Sequence, residues 1–374
     1  MEKGKKILFL VTEDAPGMRP YAFSVIMNTS SPQCHAIIVI KKEDDKRHFI
    51  SLEQYCNLHY FMRPQGKVGK LMWHFYPNGL VSTIHNIINA NDIELIVTLT
   101  GEVCLSWIFG RLQKKVPILH TVHDAIPHEY KLSPINALKD KIFVSGPNKS
   151  ILRKGKFFIS NSSVQVDWLK SNYPTKRVFY CPFPTLVTPA IETGNSCVPE
   201  LKGLNDYILF FGRVEFYKGV HILYNAFRQN KSLLMPHKLV IAGRGDYGKY
   251  YFDVEDDEDV IILNRFIEDA EVKSLFKYAA LVVYPYLSVT QTGVFSLASR
   301  FGKKIVATDL PFFRSIASGN EGVLLTPLND ETKLANNILQ SLASSDSTFG
   351  LYEANYSYEA FSSFMNNAIE EVLS

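Results

Sequence analysis

The sequence predicts an α/β protein made of two doubly wound domains facing a cleft. Three observations predict it. The chain has 374 residues, more than one hydrophobic core ordinarily supports. Short apolar runs alternate with helical patterns in both halves, as in parallel sheets covered by helices. That alternation lapses around 184–204, where Pro184, Pro189, Gly194, Asn195 and Ser196 mark the best candidate for a linker.

The elements follow in order. Strands are expected at Ile7–Val11, Ala36–Ile40, Glu94–Val97, Val116–Val122, Lys156–Ser160 and Arg177–Tyr180. Ala22–Met27, Val81–Ile88, a stretch ending near Gln113, and Val164–Ser171 read as the helices between them. Beyond the linker, Tyr207–Phe211, Lys238–Ala242, Val260–Leu263, Leu281–Tyr284 and Ile305–Ala307 read as strands. Val220–Arg228, Ala270–Ala279 and Val294–Phe301 read as helices. Ser344–Gly350 reads as a second short linker and Tyr358–Leu373 as a closing helix. The expected domains are 1–187, joined by the C-terminal helix at about 355–374, and 203–350. Sheets of this kind bind ligands outside the carboxyl ends of their strands.

Composition narrows the classes. Hydrophobic residues at 46% and charged residues at 21% exclude a disordered chain. No apolar run is long enough to span a bilayer. The apolar run Ile7–Val11 is cut off by Thr12, Glu13 and Asp14, so it reads as a first strand and not as a leader. The five cysteines are odd in number and show no metal-ligand spacing. A reduced, cytoplasmic protein without a metal is the expectation. The net charge of +3 is unevenly spread: residues 1–190 hold 24 Lys/Arg against 14 Asp/Glu, and residues 191–374 hold 16 against 23. The basic half suits an anionic membrane surface or a phosphate-bearing acceptor, and solvated lysines account for it equally well. No nucleic-acid partner is expected.

Three turns carry candidate chemistry. Gly212-Arg213-Val214-Glu215-Phe216-Tyr217-Lys218-Gly219 follows a buried strand and opens a helix. Glycine permits a tight turn and a close ligand approach. Arg213 and Lys218 then stand at the strand end, where two phosphates would be bound and leaving-group charge offset. A surface turn with two solvated cations has the same spacing. Gly243-Arg244-Gly245 follows the next strand and alone is ordinary turn chemistry. Thr290-Gln291-Thr292-Gly293-Val294 precedes an apolar helix; its backbone N–H groups suit a diphosphate, and a threonine N-cap is the plainer alternative. In the first half, His123 follows the strand ending in Thr121-Val122, and Gly17 lies in the turn after the first strand.

Together these residues resemble the retaining glycosyltransferases of family 4, which have the GT-B fold of two Rossmann-like domains. The resemblance covers most of the second half and the first half more thinly. It rests on Gly212-Arg213 with Lys218-Gly219, on Ile241-Ala242-Gly243-Arg244-Gly245, and on Gly302-Lys303-Lys304-Ile305-Val306-Ala307. It implies that Arg213 and Lys218 bind the donor's phosphates and that His123 sits close to the transferred sugar. The implied catalytic set is His123, Arg213 and Lys218. The implied donor-binding set adds Gly17, Gly212, Gly243, Arg265, Thr290, Gln291, Thr292, Gly293, Val294 and Leu297. The family's two glutamates, eight positions apart, fall on Val289 and Leu297, neither of which is acidic. Thr290-Gln291-Thr292-Gly293 instead resembles the branch with Gln-Ser/Thr-Gly at this point, and its polar triplet is expected to take over the ribose contacts.

The implied reaction is hexose transfer from a UDP- or GDP-sugar to a hydroxyl acceptor, such as a lipid-linked saccharide of a cell-surface glycan. It implies retention and no metal or other cofactor. The rivals are another GT-B enzyme, such as a sugar-nucleotide epimerase, and a scaffold that keeps the fold without the reaction.

Overall fold

A computed structural model describes residues 5–12, 18–29, 31, 33–101, 103–125, 138–248 and 257–374. The apolar runs pair into two parallel sheets. The first is built from β1 (Ile7–Val11), β2 (His35–Ile40), β3 (Asn57–Met62), β4 (Leu95–Thr98), β5 (Ile118–Val122), β6 (Phe157–Ser160) and β7 (Arg177–Tyr180). Its order is β3-β2-β1-β4-β5-β6-β7. The second holds β8 (Tyr207–Phe211), β9 (Leu239–Ala242), β10 (Val260–Leu263), β11 (Ala279–Tyr284), β12 (Lys304–Thr308) and β13 (Val323–Thr326), in the order β10-β9-β8-β11-β12-β13. Both are doubly wound. The strand order reverses between β1 and β4 in one and between β8 and β11 in the other, the switch points where such sheets take ligands.

The central strands are buried on both faces, which is why they are continuous apolar runs. Every residue of β1 and β2 is buried, whereas β3, at the sheet edge, is only half-buried. That difference hid β3 (NLHYFM) from a reading based on apolar runs.

The chain divides into residues 1–184 with 358–374, and residues 185–357. The segment expected as the linker is folded against the second unit. Thr188 caps a short helix, Pro189–Thr193, whose Ile191 is buried in that unit's core. The expected second linker at 344–350 is also packed: buried Thr348 donates its hydroxyl to the Lys303 carbonyl at 2.7 Å. The helix Tyr358–Leu373 joins the first unit. Its Phe361, Met365 and Ile369 are buried, Ser362 Oγ donates to the Asn28 carbonyl at 3.0 Å, and Arg177 pairs with Glu371.

Candidate functional site

The second unit's switch point is built from the loops after β8 and β11, with the loop after β9 as a support. At Gly243 the backbone has φ +147°, and a Cβ there would lie 2.0 Å from the Gly212 carbonyl oxygen. Gly243 therefore lets two loops touch, and the ligand it accommodates is the neighbouring backbone. The contact is fastened by Gly212 N–H to the Ala242 carbonyl and Val214 N–H to the Arg244 carbonyl, both 3.0 Å.

Gly219 plays the same part on the other side. Its φ is +62°, and a Cβ would sit 1.9 Å from the Pro285 carbonyl oxygen. Only glycine tolerates both demands. The two loops are then tied by Leu287 N–H donating to the Tyr217 carbonyl at 2.6 Å.

This knitting carries Lys218 inward. It is 9% exposed. A Cβ on Gly212 would approach its Nζ to 2.9 Å, so the glycine leaves the ammonium its space. Nζ lies 5.3 Å from the centre of the Tyr286 ring and 6.0 Å from that of Tyr217. Such contacts offset part of a cation's desolvation. Among the described residues no hydrogen bond or ion pair reaches Nζ. Burial lowers its pKa from the ordinary lysine value, while Tyr217 and Glu215 pull it back up. The result is a buried cation that no hydrogen bond or ion pair reaches among the described residues, at the switch point of a parallel sheet.

Arg213 stands on the same loop, its side chain largely exposed and 3.5 Å from Glu215. An exposed pair of that length holds the guanidinium weakly, leaving it able to turn to an anion. Thr290, Gln291, Thr292 and Gly293 are half-buried in the loop after β11. No threonine caps the following helix: the capping position is Gly293, with no side-chain bond, and the helix is short, Val294–Arg300. Its first turn is held by Ser296, whose Oγ donates to the Gly293 carbonyl at 2.7 Å and accepts from Leu186 N–H at 3.0 Å. The Val294 carbonyl accepts from Tyr284 Oη at 3.0 Å.

Three expected donor residues are otherwise engaged or lie outside the described residues. Leu297 is 2% exposed and belongs to the second unit's hydrophobic core, so it packs and offers a ribose nothing. Val289 also packs against that core. The Arg265 guanidinium is taken up by two carboxylates, Glu271 at 2.7 and 2.8 Å and Glu200 at 3.0 and 3.1 Å. Those bonds raise its pKa further, and it staples Glu200 to the helix Asp269–Lys277. Gly17 lies outside the described residues.

His123 belongs to the first unit. Its half-buried ring donates Nε2–H to the Leu99 carbonyl at 2.8 Å and meets Tyr21 edge-on at 4.9 Å. Burial lowers its pKa, against the raising effects of the Leu99 bond and the Asp124 charge. The loop is held by Gln165, a residue the sequence did not single out. Fully buried, Gln165 donates Nε2–H to the His123 carbonyl at 2.9 Å and accepts from Ala125 N–H at 2.6 Å. The surrounding strand ends carry hydroxyls: Thr12 with Thr100, Tyr21 with Thr121 at 3.2 Å, and Thr98 with His120 at 2.6 Å.

Residues 205–344 match the family described as Glycosyl transferases group 1. No curated protein matches the chain in sequence. Solved structures match it along its length. Anabaena HepE in complex with UDP-glucose is 15% identical with a TM-score of 0.70, covering 98% of this chain and 99% of that one. Sucrose-phosphate synthase from Thermosynechococcus elongatus is 17% identical with a TM-score of 0.70, covering 98% and 99%. A glycosyltransferase from Rickettsia africae is 15% identical with a TM-score of 0.71, covering 99% of each. At such identities the likeness shows the fold, which is GT-B. With a glycosyl transferase domain over residues 205–344, the protein is a glycosyltransferase.

Proposed function

We propose that this glycosyltransferase moves a hexose from a UDP- or GDP-sugar to a hydroxyl acceptor with retention of configuration. The observation that carries the reading is the buried ammonium of Lys218, which no hydrogen bond or ion pair reaches among the described residues, at the switch point of the second unit. A desolvated cation interacts strongly with charge that grows in a transition state. Breaking the sugar–phosphate bond leaves negative charge on the diphosphate, and Lys218 and Arg213 stabilise it there. Gln291 and Thr292 supply hydrogen bonds to the ribose, in place of the carboxylate that buried Leu297 cannot provide. In this reading His123 contacts the sugar, and burial lowers the pKa of its ring. The catalytic work falls to these cations, and the reading calls for no metal. HepE structures with UDP and UDP-glucose support a nucleotide-sugar donor. The acceptor is a saccharide or lipid-linked saccharide, met by the basic first unit at an anionic membrane.

Calorimetry with UDP and GDP tests the donor site. Arg213→Ala should weaken binding of the preferred nucleotide by about 1.5–3 kcal/mol, the range for a charge-assisted hydrogen bond. Undiminished binding would remove Arg213 from the site. Mass detection of products over a donor panel, with and without chelator, tests the transfer. Binding without turnover on any donor would make the chain a nucleotide-sugar-binding scaffold.

A further inference from the structure

The helix Gly66–Phe75 is amphipathic in the wrong direction for a soluble protein. Only Trp73 is buried. Val68, Leu71 and Met72 are 72%, 60% and 54% exposed, and with Phe75 they form a stripe at helical spacing. Two neighbours extend it. The Trp107 ring, 53% exposed, meets Phe75 edge-on at 5.8 Å. Phe143 meets His74 at 5.7 Å, and beside it Ile142 and Val144 are also exposed. An apolar face of this extent marks an interaction site.

Its charge selects the partner. Lys67 and Lys70 lie on the same helix, and Lys139 and Lys141 lie within the 138–144 segment on either side of the half-buried Asp140; all four lysines are exposed. Among the described residues none of the four forms an ion pair. From 54 to 91 the sequence has no Asp or Glu. A second copy of this chain would bring like charge to the same face. We infer that this face of the first unit docks in the interface of an anionic bilayer, the stripe entering the acyl boundary while the lysines meet the headgroups. The inference deepens the membrane part of the proposed function and does not depend on the donor site.

Co-sedimentation of the full chain with vesicles tests it. Phosphatidylcholine vesicles containing phosphatidylglycerol should bind about tenfold or more tightly than pure phosphatidylcholine, and high salt should abolish the difference. Fluorescence should shift to the blue on the anionic vesicles, and Trp107→Phe should remove most of that shift. The pair L71S and M72S should lower binding about tenfold with an unchanged thermal melt, since both side chains are already solvated. UDP affinity measured without vesicles tests the donor site separately. Equal binding to neutral and anionic vesicles would overturn the inference, as would wild-type binding by the double variant. So would a dimer that the double variant abolishes in a protein that ignores vesicles, which would give the face to a second copy.

Discussion

The two switch points differ in chemistry although the two sheets share one winding order. In the second unit the loops after β8, β9 and β11 touch through backbone, with Gly219 and Gly243 at the contacts, and they enclose the Lys218 ammonium. In the first unit the strands carry hydroxyls and histidines bonded to one another and to backbone. One end is built around a buried cation and the other around hydroxyls, amides and imidazoles. The same winding thus supports an anion-seeking site in one place and a polar, uncharged one in the other. Side chains a few residues beyond each strand decide which.

The largest expected effect comes from breaking the loop contact. Gly219→Ala sets a Cβ on the Pro285 carbonyl and should cost the second unit about 3 kcal/mol and its nucleotide binding, because backbone cannot yield as a side chain can. Gly248→Ala, which meets nothing within 4 Å, is the control and should melt like wild type. Thermal denaturation decides, and equal melts for the two variants would mean the loops are not held by that contact.

A smaller change separates stability from function. Lys218→Met keeps the apolar stem and removes the buried charge. The nucleotide-free protein should melt at a higher temperature, while UDP or GDP affinity falls by about 1.5–3 kcal/mol. A variant that is destabilised and binds normally would show the ammonium to be a structural group.

The smallest effect at neutral pH belongs to the first unit, and it grows on acidification. Burial lowers the His120 pKa to about 3, and the ring packs between Phe109 and Phe158. The unfolded chain takes up a proton below about pH 6.5, whereas the folded ring resists until about pH 3. Protonation therefore favours the unfolded state, and stability is lost as pH falls through that window, by about 1.4 kcal/mol per pH unit for this group. His120→Gln should flatten the acid limb of the first unit's denaturation curve. An unchanged slope would assign the acid sensitivity to other groups.

Much of this was legible in the sequence because burial on both faces writes a strand as an unbroken apolar run. β1, β7, β8 and β10 lie at the expected positions. The edge strand β3 and the helix Gly66–Phe75 were not legible: the strand is half-buried and the helix turns its apolar stripe outward, so neither shows the pattern of a core element. Within the candidate site, Gly212, Lys218 and Gly219 stood out because one short loop holds them all. Gln165 did not, since its two partners lie about forty residues away and only the fold brings them together. Leu297 was legible as a departure from the family pattern, and the structure gives it a packing role.

The closing helix sets the order in which this chain can mature. The first unit needs Tyr358–Leu373, whose Phe361, Met365 and Ile369 are buried and whose Ser362 bonds the end of the helix Arg19–Thr29. The whole second unit lies between those two segments in the chain. On a ribosome, residues 185–357 can fold as soon as they emerge, while the half that began first waits for the last helix. Until then that half lacks the helix that completes it, so a chaperone that shields apolar surface would act on the older part of the chain and not on the newer.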